Sequence, residues 1–341
     1  MSTEAAPAAD MRPSPWSTVA RATALLTVSI SLLLTAFAWP SVRSSVHDVP
    51  IAVVGPAPAV EQLTSVLDQR LPDGFEVTRV ADTAGAERMI REREVYGAID
   101  LSSGTPQVVT ASAASTAVAQ TLNSVAAGLG QGRGTGPAVT VRDLVPLPAD
   151  DPRGAGLTAG ALPLVMGGLL AALVLTRLVR GSARRVTGAL AFAVTGGLAV
   201  AAILRFWLGS LDGSYWADSG AVALTLAATS LSILGLMSLL GYVGFGLGAA
   251  TMMLIGNPLS GTATAPEMLP GRSGALGQLL PPGAGGQLLR STAFFDARGA
   301  TVSATVLTAW LTLGLVLCLA GGLRTRPTAD TVEEATVRAT A

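Results

Sequence analysis

The sequence predicts a polytopic α-helical membrane protein, with about six transmembrane helices and a small α/β extracytoplasmic domain between spans 1 and 2. Half of the 341 residues are hydrophobic and only 13% are charged, whereas a soluble domain carries about 25% charged residues. The mean hydropathy is +0.54. Long charge-free stretches also alternate with one region of ordinary charge density. Together these observations indicate a membrane protein with one water-exposed domain.

The charge-free stretches locate the predicted spans, since about 20 apolar residues cross the hydrocarbon core of a bilayer. The first span is predicted at residues 19–40, with Trp16 and Trp39 suited to the two membrane interfaces. A cleavable signal peptide is the alternative, because Ala36-Phe37-Ala38 resembles a cleavage site. The later spans are predicted within a membrane domain at 153–325, at residues 157–178, 186–207, 219–239, 243–258 and 302–323.

The stretch between Asp218 and Glu267 carries no charge and is too long for one helix. It is therefore predicted as a hairpin of two spans, with a turn near residues 235–244. On these boundaries no span contains an aspartate, and Arg205 lies at a span end from which its side chain can reach the interface. A proton relay through buried carboxylates is therefore not predicted.

The distribution of arginine predicts the orientation, because short cytoplasmic loops are enriched in basic residues. The loop between the second and third spans carries Arg177, Arg180, Arg184 and Arg185 and no acidic residue. The loop at 209–219 carries two aspartates and no base. We therefore expect a multi-pass protein of the cell membrane whose N-terminal segment (1–18) and C-terminal tail (326–341) are both cytoplasmic.

Residues 41–152 have a different pattern, which predicts strands and helices in the order β-α-β-α-β-β-α-β. Residues 51–54 form an apolar run that ends at Gly55-Pro56, and residues 75–80 alternate as a strand does. About 110 residues are enough for a domain with its own core. None of the predicted strands is followed by the glycine pattern of a dinucleotide site.

Several kinds of chemistry are excluded by composition. The chain contains no lysine, so all 22 basic residues are arginine and there is no P-loop for ATP hydrolysis. One cysteine, Cys318, and one histidine, His47, provide neither an internal disulfide nor a zinc site. The net charge of zero gives no electrostatic reason to expect nucleic-acid binding. We predict no cofactor and no metal.

Two short motifs are weak signals of enzymatic function. Gly271-Arg-Ser-Gly274 matches the G-x-S-G string of rhomboid-type proteases, but a serine nucleophile needs a nearby base and no histidine follows His47. The string at 244–249 matches a dinucleotide pattern, but it lies inside a predicted span, where small residues favour close helix packing. The chain is therefore predicted not to be an enzyme.

The segment at 259–300 is too rich in proline and glycine for a span and too apolar for a free loop. We expect short re-entrant or interfacial helices there, on the outer side of the membrane. An ordinary loop packed on the bundle is the alternative.

Several stretches resemble those of ABC-2 type export permeases, in the branch with a large extracytoplasmic domain after the first span, which includes phage-infection-protein-like membrane proteins. The stretches are IAVVG, VYGAIDL followed by QVVTASAAS, GNPLSG, and LPPGAGGQLLRSTAFFDARG. The resemblance implies a homodimer or heterodimer of permease subunits among membrane lipids, driven by a separate cytoplasmic ATPase subunit. It also implies export of a small molecule, lipid or glycoconjugate, with no catalytic residues in the permease itself.

The resemblance suggests two functional regions. The first is an ATPase-docking loop, although anchoring of a cytoplasmic loop explains the same arginines: Arg177, Arg180, Arg184 and Arg185. The second is an outer gate segment with Asn257, Pro258, Pro281, Pro282 and Leu289. The alternative function is a non-transporting membrane protein whose extracytoplasmic domain binds a partner or an envelope component.

Overall fold

The computed structural model describes residues 13–103, 105–131 and 139–324. Most of the predicted N-terminal segment and the whole predicted tail lie outside the described residues. The α-helices are α1 (Trp16–Arg43), α2 (Ala57–Arg70), α3 (Thr83–Arg91), α4 (Thr116–Gln131), α5 (Ala155–Leu178), α6 (Ser182–Ala202), α7 (Tyr215–Leu240), α8 (Tyr242–Ala249), α9 (Ser273–Gln278), α10 (Pro281–Phe294) and α11 (Thr301–Arg324). The strands are β1 (Val49–Val54), β2 (Phe75–Val80), β3 (Gly97–Asp100), β4 (Gln107–Thr110) and β5 (Thr140–Asp143).

Five of the described helices are long and apolar enough to cross a membrane, which identifies a polytopic helical membrane protein. They are α1, α5, α6 with the π-helical turn Ile203–Trp207 that extends it, α7, and α11. Each coincides with a span predicted from the sequence to within about four residues at either end, which is the usual uncertainty of helix ends.

The remaining predicted span, at 243–258, is shorter than the others. It consists of α8 followed by the π-helical turn Ala250–Gly256. The apolar helix Tyr242–Gly256 would rise about 22 Å at the α-helical spacing, against a hydrocarbon core of about 30 Å. The turn that separates it from α7 lies at Gly241, which has a positive φ of 60°. Gly241 falls within residues 235–244, where the sequence predicts the turn.

The helix α7 is the centre of the bundle and packs against α5, α6, α8, α10 and α11. Small residues make this possible, because they let helix backbones approach closely without a hydrophobic driving force. A Cβ atom on Gly314 of α11 would lie 2.5 Å from the Leu231 carbonyl carbon of α7. Likewise, a Cβ atom on Gly197 of α6 would lie 2.6 Å from the Ser219 carbonyl oxygen.

The bundle has two ends, which we call the sheet end and the arginine end. At the sheet end, α5 begins and α6 gives way to a turn in which Gly209 lies against Asp150. At the arginine end, α5 passes to α6 and α11 finishes, and the Ser182 hydroxyl donates to the Cys318 carbonyl over 3.0 Å. Arg180 lies in this connection.

Residues 49–143 form the predicted small α/β unit, and the order of its strands and helices is as the sequence predicts. Its sheet has the strand order β2-β1-β3-β4-β5. The strands β1 and β2, β1 and β3, and β4 and β5 pair in parallel, whereas β3 and β4 are antiparallel. The apolar residues of β1 are fully buried because both faces of the sheet are covered.

Both cores of the α/β unit include residues from the segment between α8 and α11. On one face, α2 and α4 pack over the sheet together with Ala265 and Met268. On the other, α3 packs together with Phe295, which follows α10. The sheet and the membrane-length helices are therefore connected by shared hydrophobic cores as well as by the chain.

The helix α1 stands apart from this bundle. None of the 18 residues in its most apolar window is buried, and Leu25, Leu26 and Ile30 are each more than half exposed. This exposure is what lipid-facing residues of a transmembrane helix require, since the hydrocarbon surrounds them.

We predict that Gly314→Ala destabilises the bundle by about 1–3 kcal/mol, because the added methyl group meets the backbone of α7, which cannot move aside locally. The measurement is the thermal unfolding midpoint in one detergent. The matched control is Gly220→Ala on α7, where nothing lies within 4 Å of the added atom. Equal midpoints for the two variants would contradict the packing described here.

Candidate functional site

The candidate site is built around α10, a helix enclosed by protein on all sides. It lies in residues 257–300, which we call the inserted segment. Pro281 and Pro282 occupy its first turn, where a missing N–H costs nothing. Of its 14 residues, 12 are buried. It packs against α7 and α11 and also touches α5.

Short side chains let α10 enter the bundle. A Cβ atom on Gly285 would lie 2.4 Å from the Thr225 side chain of α7, and one on Gly256 would lie 2.8 Å from Pro282. The segment contains two short helices, α9 and α10. The surroundings of α10 are mainly other helices, and its predicted re-entrant or interfacial position relative to a membrane stays a prediction.

A side chain from the α/β unit reaches α10. Arg93 follows α3 in a turn with φ of 62°, and its side chain extends along α10. One guanidinium nitrogen, Nη1, donates to the Gln287 carbonyl over 3.0 Å and to the Ser291 hydroxyl over 2.5 Å. The other, Nη2, donates to Gln287 Oε1 over 2.5 Å. Its guanidinium carbon lies 5.3 Å from the centre of the Phe295 ring, within range of a cation–π interaction.

Two further polar contacts hold the inserted segment. The Tyr96 hydroxyl donates to Glu267 Oε2 over 2.7 Å. Withdrawal from water and the neighbouring Glu267 carboxylate raise the pKa of Tyr96, so the phenol stays neutral and continues to donate. From α4's side, the Ser115 hydroxyl donates to the Thr264 carbonyl over 2.8 Å.

Arg290 is a second arginine at this site and lies inside α10. It is buried and donates through Nη2 to the Thr262 carbonyl over 2.8 Å. Burial, with a smaller effect from the charge of Arg93, lowers the pKa of Arg290 to about 10, so the guanidinium is still protonated at neutral pH. Burial also lowers the pKa of Arg93. The Nε atoms of both arginines have no partner within the described residues.

A cavity of about 610 Å³ opens between the α/β unit and the inserted segment. Arg93, Tyr96, Glu267 and Gln287 line its polar side. Exposed Leu279 and Val302 line the other side. A cavity with both kinds of wall can accept a ligand that has a polar head and an apolar body.

The predicted gate residues occupy two parts of one region. Pro281, Pro282 and Leu289 are buried within α10. Asn257 and Pro258 follow Gly256 and line a cleft of about 290 Å³ between α1 and α5. Serine and threonine side chains dominate the polar lining of this cleft, and the Asn257 Oδ1 atom is buried without a partner among the described residues.

The predicted docking arginines at the arginine end divide into two pairs. Arg185 donates to the Val179 carbonyl over 2.7 Å and to the Thr176 carbonyl over 3.0 Å, so it caps the end of α5. Arg177 lies 5.3 Å from the ring centre of Tyr242. Arg180 and Arg184 are exposed and make no hydrogen bond or ion pair within the described residues.

The sequence interpretation missed the residues that join the two parts of the protein. Nothing in the sequence pattern distinguishes Arg93 from the arginines of the α/β unit that are exposed. A signal did exist for Arg290, since it is a single charge in an otherwise apolar helix, and such charges are costly unless paired. Asp218 was placed in a loop, whereas it lies in α7 and is 0% exposed. The statement that no span contains an aspartate is therefore wrong.

We predict that Arg93→Ala destabilises the protein by about 2–3 kcal/mol, because it leaves charged hydrogen bonds to α10 unmade in a buried place. It should also make the inserted segment accessible to limited proteolysis. Arg91→Ala is the control, since Arg91 lies on the exposed side of α3 and pairs only with Glu87 on its own helix. Unchanged stability and proteolysis of the Arg93 variant would exclude a structural role for this contact.

Comparison of this chain with family models, with curated proteins and with solved structures finds no match in any of the three. Its function is therefore inferred from its own residues and their arrangement.

Proposed function

We propose that this chain is the permease subunit of an ABC-2-like export system, which translocates a small molecule, lipid or glycoconjugate with energy from a separate ATPase subunit. The observation that carries the proposal is the seating of α10 inside the bundle. A helix that enters from one end and is held by polar contacts can block a path between the longer helices. Its displacement would open that path.

The orientation follows from the same proposal. Arginine is enriched at the arginine end, which under the positive-inside rule is cytoplasmic, and the α/β unit then lies outside the cell. Six spans are required if both termini are cytoplasmic, with Tyr242–Gly256 and the turn after it as the short fifth span. Because this span is shorter than the hydrocarbon core, the bilayer would thin locally around it.

Energy would come from a partner. The chain has no lysine and hence no P-loop lysine to hold nucleotide phosphates. Arg180 and Arg184 are exposed and have no hydrogen-bond or ion-pair partner in the part of the chain that the structure describes, whereas Arg185 and Arg177 contact other residues of the chain. The docking surface proposed for an ATPase is therefore the exposed pair.

Two features support an amphiphilic substrate. The cleft beside Asn257 lies between α1 and α5, where a lipid-soluble molecule could enter sideways. The helix α1 is in little contact with the bundle, so widening this cleft requires few contacts to be broken. A homodimer or heterodimer of permease subunits would cover part of the exposed surface of α1.

The alternative, an envelope-binding membrane protein that transports nothing, is favoured by one observation. A broad groove of about 610 Å³ runs between α2 and β2 on the α/β unit, with Glu61, Asp68 and Arg79 along it. In that case the partner recovered with the protein would be an envelope component rather than an ATPase.

We expect purification from native membranes to recover an ATPase with a Walker A motif, while the isolated chain hydrolyses no ATP. Joint substitution of Arg180→Glu and Arg184→Glu should reduce the recovered ATPase by roughly tenfold or more, because like charges at an interface cost several kcal/mol. The control is Arg88→Glu with Arg298→Glu, which reverses two exposed arginines near the sheet end. Recovery of envelope components without any ATPase would favour the alternative.

A further inference from the structure

Asp218 is an acidic residue in the interior of the bundle. It lies in the first turn of α7, at the sheet end, and is 0% exposed. Neither of its carboxyl oxygens has a hydrogen-bond partner among the described residues. An ionised carboxylate in such surroundings would lose its hydration at a cost of several kcal/mol, which the positive end of the α7 dipole offsets only in part.

Arg205 is the charged residue close enough to act on Asp218 electrostatically, yet it does not pair with it. It lies in the π-helical turn Ile203–Trp207 at the end of α6. Its Nη1 atom donates to the Gly213 carbonyl, and its guanidinium carbon lies 5.9 Å from the centre of the Phe206 ring. Both interactions orient the guanidinium of Arg205 away from the carboxyl group of Asp218.

Thr292 of α10 lies beside Asp218, and a hydrogen bond donated by its hydroxyl group would favour the ionised carboxylate. Its hydroxyl proton is donated to the Leu289 carbonyl over 3.0 Å, which leaves the oxygen of Thr292 as an acceptor. A carboxylate is an acceptor only, so it would face another acceptor, whereas a protonated carboxyl group can donate to that oxygen.

Within residues 13–103, 105–131 and 139–324, no charged side chain other than Arg205 acts on Asp218. The helices α5 and α11 carry no charged residue in their halves near the sheet end. In α10 the charged residue is Arg290, which donates to Thr262. In the turn before α7, Asp212 is exposed and has the same sign as Asp218.

We propose that Asp218 is a proton-binding site, occupied while α10 is seated in the bundle. Release of the proton breaks the carboxyl O–H bond, passes the proton to water, and leaves a carboxylate that Arg205 can neutralise by turning away from Gly213. Pairing of Asp218 with Arg205 would draw the carboxyl group away from Thr292 of α10. Protonation of Asp218 and the seating of α10 would therefore be linked, independently of what the protein transports.

Infrared difference spectroscopy tests this directly on the full-length protein. The spectrum of the wild type minus that of Asp218→Asn at about pH 7 should contain the carbonyl stretch of a protonated carboxylic acid. The control Asp212→Asn removes an exposed carboxylate, so its difference spectrum should show carboxylate bands instead. Carboxylate bands and no acid band in the Asp218→Asn difference spectrum would overturn the proposal.

The same variant provides a second measurement. Asparagine has the shape of the neutral acid, so Asp218→Asn should fold, and failure to fold would contradict the proposal by indicating a required charge. The folded wild type holds a proton that the unfolded chain has lost above about pH 4. The unfolding equilibrium constant of the wild type relative to the variant should therefore rise by up to tenfold for each unit of pH. A ratio that does not change with pH would exclude a bound proton.

Discussion

The interaction between Arg93 and α10 joins the α/β unit to the interior of the helical bundle. One guanidinium group satisfies the Gln287 side chain, the Gln287 carbonyl and the Ser291 hydroxyl, all on a helix that is otherwise enclosed. Without such a donor, these acceptors would be buried at a cost that the glycine- and alanine-rich surface of α10 cannot offset. With α10 held in this position, Phe295, which follows it in the chain, packs in a hydrophobic core of the sheet.

If the chain exports a substrate as proposed, this arrangement would give the α/β unit a mechanical role in the cycle. A ligand or partner that moves the unit relative to the bundle also pulls on α10, because the shared cores and the Arg93 contact move together. The central helix α7 is suited to a sliding partner near Gly285 of α10, since Thr225, which lies against this glycine, bonds to the backbone of its own helix. Thr225 and Thr229, for example, each donate to the carbonyl four residues earlier over 2.8 Å. Its contact with α10 can therefore change without leaving those groups unpaired.

Much of the fold was predictable because it depends on local patterns. Charge-free length located α1, α5, α6, α7 and α11, and hydrophobic alternation gave the order of elements in the α/β unit. The burial of α10 was not predictable in this way, because its prolines and glycines indicate only that a long span cannot form. Whether such a short helix lies at an interface or inside a bundle depends on partners that are distant in sequence.

The candidate site likewise combines residues that the sequence identified with contacts that only tertiary packing determines. Arg177 and Arg185 form part of the arginine loop that the sequence identifies, but only tertiary packing shows that they bind within the chain, while Arg180 and Arg184 do not. Asp218 was assigned to a loop because the charge-free stretch that marked the span begins only after it. Thr292 of α10 lies beside it, so part of its surroundings comes from an insertion that the sequence could not reveal.

The most direct test of the coupling between the α/β unit and α10 is a double-mutant cycle between Arg93→Ala and Gln287→Ala, measured by unfolding of the full-length protein. Residues in direct contact couple by about 0.5–3 kcal/mol, whereas distant ones add independently. We expect a coupling energy of at least about 1 kcal/mol, because the Nη2 to Oε1 hydrogen bond is charged and withdrawn from water. Additive effects of the two substitutions would contradict a direct contact between Arg93 and Gln287.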